Sequence, residues 1–300
     1  MGYLFLAAAL LCGAVKGFCG KKTSGIITGV QDSMLVSLLR MLFCILLGAA
    51  VMGVQSGALA APAGGRAMAI SVASGLLTAA FVVSWMLAAK RVPYMLVEIF
   101  LMLGVYVTVA LSFAVFGETV TLRQLIGLIL LPAAVVLMCG RRTDGVRQKI
   151  TPLAILLLLV SAGSNALVDF LQKLYMETVA DAAASALQFY TYIFAAAGLL
   201  VCFLLTLFTV KRETSAGTRR RVLGRSIGYI LIMSACLYAN SYFKTEAAAL
   251  LNASRLYPLS QGGSLVLGTL MATFAFGEKP TVRTISGIVL AFGALLLINL

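Results

Sequence analysis

The sequence predicts an all-α integral membrane protein of about ten transmembrane helices, arranged as two inverted five-helix repeats. Three observations carry this. Of 300 residues, 61% are hydrophobic and only 11% charged; a soluble domain carries about 25% charged residues. The mean hydropathy is +1.04. A segment near the middle of the chain reappears at its end. A soluble fold has too little polar surface to hide so much apolar side chain, so lipid must be the solvent for most of it.

Apolar runs broken by Gly, Pro and charge place the spans at 2–20, 33–53, 67–89, 94–116, 122–140, 152–172, 183–209, 227–250, 255–276 and 282–299. Helices are required because hydrocarbon cannot satisfy backbone polar groups, and the runs are too long for barrel strands. The first run has no basic segment ahead of it and further spans follow at once, so it reads as a first helix and not as a cleaved leader.

The repeat is gapless. Residues 116–139, FGETVTLRQLIGLILLPAAVVLMC, and residues 276–299, FGEKPTVRTISGIVLAFGALLLIN, align at an offset of 160 with 9 of 24 positions identical. This divides the chain into a first half, 1–140, a linker, 141–151, and a second half, 152–300. Five spans per half is an odd number, so the second half enters from the opposite side of the bilayer. Such inverted repeats suit alternating access, in which exchanging the conformations of the halves moves the opening from one side to the other.

The two copies of Phe-Gly-Glu-x-x-Thr-x-Arg-x-x-x-Gly resemble the repeat signature of the drug/metabolite transporter superfamily, in its ten-helix EamA-like form. Pro258, opening the ninth span, is similar to that family's pattern, whereas Glu98 occupies the matching place in the first half. The resemblance implies a central substrate cavity between the halves with the fifth and tenth helices peripheral. The small four-helix relatives carry a proton-coupling glutamate in their first helix. Lys16 stands in the first span here, so that coupling does not carry over.

The net charge of +13 falls in short gaps between apolar runs, as expected of loops facing the cytoplasm and anionic headgroups, not of a nucleic-acid partner. Odd-numbered loops hold 16 Lys and Arg and even-numbered loops 4. The count puts both termini outside, whereas ten-helix members of the family keep both in the cytoplasm. The expected location is a bacterial-type plasma (inner) membrane. There is no histidine, and the six cysteines form no CxxC pair. The usual zinc patterns are absent, and the cysteines read as small buried hydrophobes. No metal or cofactor is expected. No nucleophile–base pair, HExxH or phosphate loop stands in a credible context, which points away from an enzyme and from an ATP-driven pump.

Within the repeated motif, Glu118 and Glu278 precede Thr121 and Thr281, the expected N-caps of the fifth and tenth helices. Arg123 and Arg283 are candidate partners for the two carboxylates. Gly127 and Gly287 allow close helix contact. All six read as structural. Ionisable residues inside spans are costly and therefore functional candidates. Lys16 and Glu98 lie toward one side, Asp169 and Lys244 toward the other. One reading closes a mouth of the pathway with each pair; the other has each side chain snorkel to the nearby interface. Arg40 reads as structural, folding back toward Asp32.

The eighth span is unusually polar. Tyr238, Ser241, Tyr242 and Thr245 follow helical spacing and form one stripe, which would waste hydrogen-bonding groups against lipid. With Asn240, Lys244, Asn165 and Tyr257 it is the candidate substrate-binding surface. Trp85 belongs either to an interfacial belt or to the cavity wall. The partners expected are the lipid bilayer and a small polar, amino-acid-like or amphipathic solute. The pathway is monomeric, with a homodimer as a further allowed assembly. A lipid-carrier flippase and a non-transporting assembly or sensor subunit are the rival readings.

Overall fold

Helix follows helix because each apolar run, once in hydrocarbon, must bond its own backbone. The computed structural model describes residues 1–24, 30–56, 64–89, 91, 94–118, 120–138, 151–179, 181–209, 216–276 and 282–299. Among them are ten α-helices and no strand: α1 Gly2–Ser24, α2 Val30–Ser56, α3 Gly64–Ala89, α4 Tyr94–Phe116, α5 Leu122–Met138, α6 Pro152–Thr178, α7 Ala184–Thr209, α8 Ala216–Ala248, α9 Ala253–Phe276 and α10 Val282–Asn299. The linker 141–151 lies outside the described residues except for Thr151, the N-cap of α6, whose side chain accepts from the Ala154 N–H.

Among the described residues six helices, α1, α2, α3, α6, α7 and α8, are long and apolar enough to cross a membrane, as an integral membrane protein requires. Their outward faces are apolar. On α7, Leu200, Val201, Leu204, Leu205 and Phe208 are exposed, and on α10 Val282, Ile285, Val289 and Phe292 are. Leucine-rich faces turned outward are the inverse of a soluble surface and suit acyl chains.

Two boundaries differ most from the sequence expectation. Helix α6 continues past residue 172 to Thr178, and α8 begins at Ala216, well before its apolar span Ser226–Ala248. Hydropathy marks where lipid ends, not where a helix ends, and Arg and Lys are good helix formers in water.

The helices pack closely where small residues meet. Helix α1 lies along α8, α2 along α7, α3 along α6 and α7, and α5 along α10. A Cβ on Gly75 of α3 would fall 2.7 Å from the Thr191 carbonyl oxygen of α7. One on Gly127 of α5 would fall 2.7 Å from the Ala294 carbonyl oxygen and 2.6 Å from Ile298 of α10. Without a hydrophobic drive between helices in lipid, such close backbone approach supplies much of the attraction. Gly287 is buried on α10.

Candidate functional site

The repeated motif has a direct structural reading in its first copy. Phe116 ends α4, and Gly117, at φ +64°, donates its N–H to the Phe113 carbonyl at 3.0 Å. This is a left-handed helix stop, easiest for glycine. It turns the chain so that Glu118 reaches a different helix. Its Oε2 accepts from the Ala253 N–H at 2.8 Å and the Ser254 N–H at 3.4 Å. Its Oε1 lies 3.3 Å from Lys173 Nζ. Glu118 therefore caps α9, 135 residues away, and not α5, and its cation is Lys173, not Arg123, which is exposed on α5. A free carboxylate at a helix N-terminus satisfies orphan N–H groups and meets the positive end of the dipole. Helix α5 is capped from within: Thr121 Oγ1 accepts from the Gln124 N–H, and Gln124 Oε1 accepts from the Thr121 N–H. This reciprocal pair is a capping box. Glu278 and Thr281, the second copy, lie outside the described residues, and Arg283 is exposed on α10.

Lys173 is the centre of a wider cluster. The sequence places it in a loop; the structure buries it in α6 at 3% exposure. Besides Glu118 it bonds Glu177 Oε1 at 2.9 Å, the Ala248 carbonyl at 3.2 Å and the Leu251 carbonyl at 3.1 Å. It also lies 5.9 Å from the Phe116 ring centroid. One turn earlier on α6, Asp169 forms a salt bridge with Lys244 of α8, and both are buried. The Tyr257 hydroxyl, fully buried on α9, donates to the Asp169 carbonyl oxygen. Thus Glu118, Asp169, Lys173, Lys244 and Tyr257 close one end of the bundle, where α4, α6 and α8 finish and α9 begins. Asn165, four residues before Asp169 on the same face of α6, is half-buried.

A polar stripe on α8 runs from this end into the bundle. Tyr238 is buried and stacks on Tyr242, ring centroids 6.2 Å apart at 16°, with Tyr192 of α7 at 6.2 Å on its other side. The Tyr242 hydroxyl accepts from Gln55 Nε2 of α2 at 2.9 Å. Gln188 of α7 donates to Thr245 Oγ1 at 2.8 Å and to the Ser241 carbonyl at 3.4 Å. Asn240 Nδ2 donates to the Ala9 carbonyl at 2.6 Å, tying α8 to α1. The stripe read from the sequence therefore packs against α7 and α2, with Asn240 turned to α1. Trp85 packs beside Ala88, Leu101, Ala154 and Leu158, within the bundle. Lys16 is half-buried on α1; Glu98 lies in α4 with its side chain outside the described residues.

Sequence reasoning missed Lys173 and undervalued Arg40. The i,i+4 spacing of Lys173 and Glu177 was a usable signal for the first. Arg40 was expected to reach Asp32, but eight residues of helix separate them by about 12 Å. The groups within its electrostatic reach are the Cys44 thiol and the Tyr192 hydroxyl instead.

No protein-family model matches the sequence, and no curated protein does. A solved structure described as "Crystal structure of protein" superposes with a TM-score of 0.69 at 16% identity, over 99% of this chain and 95% of that one. The chain shares that protein's fold from end to end.

Proposed function

We propose that this chain is a secondary transporter of the EamA-like type, built from two inverted five-helix repeats and residing in a bacterial-type plasma membrane. It moves a small polar or amphipathic solute by alternating access. The observation that carries this reading is the pairing of helices. Exchanging the first five helices for the last five turns α1·α8 into α6·α3, α2·α8 into α7·α3, α1·α9 into α6·α4, and α4·α5 into α9·α10. The pairs α2·α7, α4·α9 and α5·α10 turn into themselves. All of these pairs are packed, as two-fold related halves require. The gapless repeat of 116–139 in 276–299 supports the same division. Inverted halves are the architecture on which rocking between two openings is built.

The arrangement of charge supports the mechanism. The Asp169–Lys244 pair seals one end, and the tyrosine-rich layer lies beneath it. A buried ion pair is held by its own low-dielectric surroundings, so admitting water or solute lowers the cost of separating it. The transport cycle opens this end by parting Asp169 from Lys244 and closes the opposite end.

The test is counterflow in proteoliposomes. Vesicles loaded with unlabelled amino acids, organic anions and amines are diluted into labelled tracer of each class. Transient accumulation of one class, abolished in Lys244→Ala, is the expected result. No accumulation of any class, alongside scrambling of a fluorescent phospholipid by the same vesicles, would replace the transporter with a flippase.

A further inference from the structure

The charged groups of the interior are not equally provided for. Asp169 is committed to Lys244, and Glu118 to Lys173. Arg40, midway along the apolar span Val30–Gln55 of α2, has neither carboxylate. Its Nε is buried without a hydrogen-bond partner. On α8 the Tyr238 hydroxyl, on a side chain 5% exposed, is also buried and unpartnered. Cys44, one turn along α2 from Arg40, links the two helices: its thiol donates to the Ser234 carbonyl one turn before Tyr238 on α8, and Met41, Cys44, Tyr192 and Tyr238 pack in one cluster.

An arginine with an unmet donor and an orphan hydroxyl therefore flank one packed cluster in the middle of the bundle. An arginine at mid-span with an unmet donor is an expensive arrangement, kept in membrane proteins where it meets a ligand or a counter-charge. The guanidinium presents donors in a fixed fork that matches two oxygens of a carboxylate or phosphate, and charge-assisted bonds there are the strong ones. Tyr238 would supply a further neutral donor. Tyr192, its ring tilted against that of Tyr238 at 6.2 Å, gives an aromatic wall for the rest of the molecule.

We propose that the layer formed by Arg40 and Tyr238 binds the oxyanion of the solute, a carboxylate or a phosphate. This rests on the transporter reading for its role but not for its existence, because binding is measured without flux. The full chain in nanodiscs of neutral phosphatidylcholine is titrated with inorganic phosphate and with benzoate, with choline at equal ionic strength as control. The readout is the thermal unfolding midpoint, which a ligand of the native state raises by mass action. One of the two oxyanions should raise it saturably and choline should not. Arg40→Gln should weaken that oxyanion's apparent Kd at least tenfold and Tyr238→Phe several-fold, with Arg40→Lys restoring part of the loss. In the absence of ligand, Arg40→Gln should unfold at the same temperature or higher, because it removes an unmet buried charge.

Three results would overturn the proposal. One is a saturable oxyanion shift that survives Arg40→Gln. Another is no shift by either oxyanion. The third is an Arg40→Gln variant that unfolds well below the parent, which would make Arg40 a structural residue. A shift obtained only on changing the nanodisc lipid to phosphatidylglycerol would assign the oxyanion to a lipid headgroup and not to a free solute. Binding without counterflow would sink the transporter and leave the site.

Discussion

Two charged regions of this bundle obey opposite rules. At the end where α9 begins, the two buried lysines each have an acid: Lys244 has Asp169, and Lys173 has Glu118 and Glu177. Backbone groups fill the remaining valences, with two carbonyls on Lys173 and two N–H groups on Glu118. At mid-depth, Arg40 and Tyr238 keep buried donors unmet. In the first region the charges are matched, although Gln172 Oε1 and Ser254 Oγ beside them are also buried without a partner; in the second a charged group's donor is not met. A satisfied buried network rigidifies, and an unsatisfied one is unstable until something completes it. On the proposed reading the difference separates a seal from a binding layer within one helical scaffold, and both regions use the same helix, α8.

Substitutions sharpen the contrast, and burial should rank their effects. The largest is expected at Asp169→Asn, which strands Lys244 among buried groups. Breaking a buried pair by removing one partner costs about 3–5 kcal/mol, read as a loss of unfolding free energy in detergent. Replacing both partners, Asp169→Leu with Lys244→Met, should return most of that loss. If the double variant is no better than the single, the seal is held by something other than this pair. Glu118→Gln comes next. It keeps an oxygen for the α9 N–H groups but leaves Lys173 with Glu177 as its remaining acid. Weakening a charged hydrogen bond of this kind costs about 1.5–3 kcal/mol, and α9 should show faster amide exchange at Ala253 and Ser254. Glu177→Gln should be the smallest. Its side chain is 43% exposed, and an i,i+4 pair at a surface contributes about 0.3–0.5 kcal/mol. A Glu177→Gln effect as large as that of Glu118→Gln would mean that solvent does not reach this end of the bundle.

The sequence made the ten helices readable because hydropathy is a local property, and the repeat exposed the division into halves. Both failures at the boundaries came from the same source: α6 and α8 run on past the apolar window, carrying Lys173 and the basic segment ahead of Ser226 into helices. The motif around Glu118 was visible as a repeat but not as an interaction. Nothing local tells that a carboxylate beside α5 caps α9 instead, since that depends on Gly117 turning the chain and on where α9 starts. The Asp169–Lys244 pair joins residues 75 positions apart, yet it could be suspected because both are isolated charges toward the same side. Arg40 had no such sign. Its nearest acid in sequence, Asp32, offered a local partner, and only packing shows that the face of α2 carrying Cys44, one turn on from Arg40, meets Tyr192 of α7.

The central claim is that the layer at mid-depth opens to each side of the membrane in turn, with the Asp169–Lys244 pair guarding one side. The most direct measurement is side-specific labelling at residue 241, which lies on α8 between Tyr238 and Lys244. The six native cysteines are replaced and Ser241→Cys introduced, and a membrane-impermeant maleimide is applied separately to the two faces of oriented proteoliposomes. Labelling from both faces is predicted, with Asp169→Asn selectively accelerating labelling from the face where α9 begins. Labelling from one face alone, unchanged by Asp169→Asn, would contradict the account.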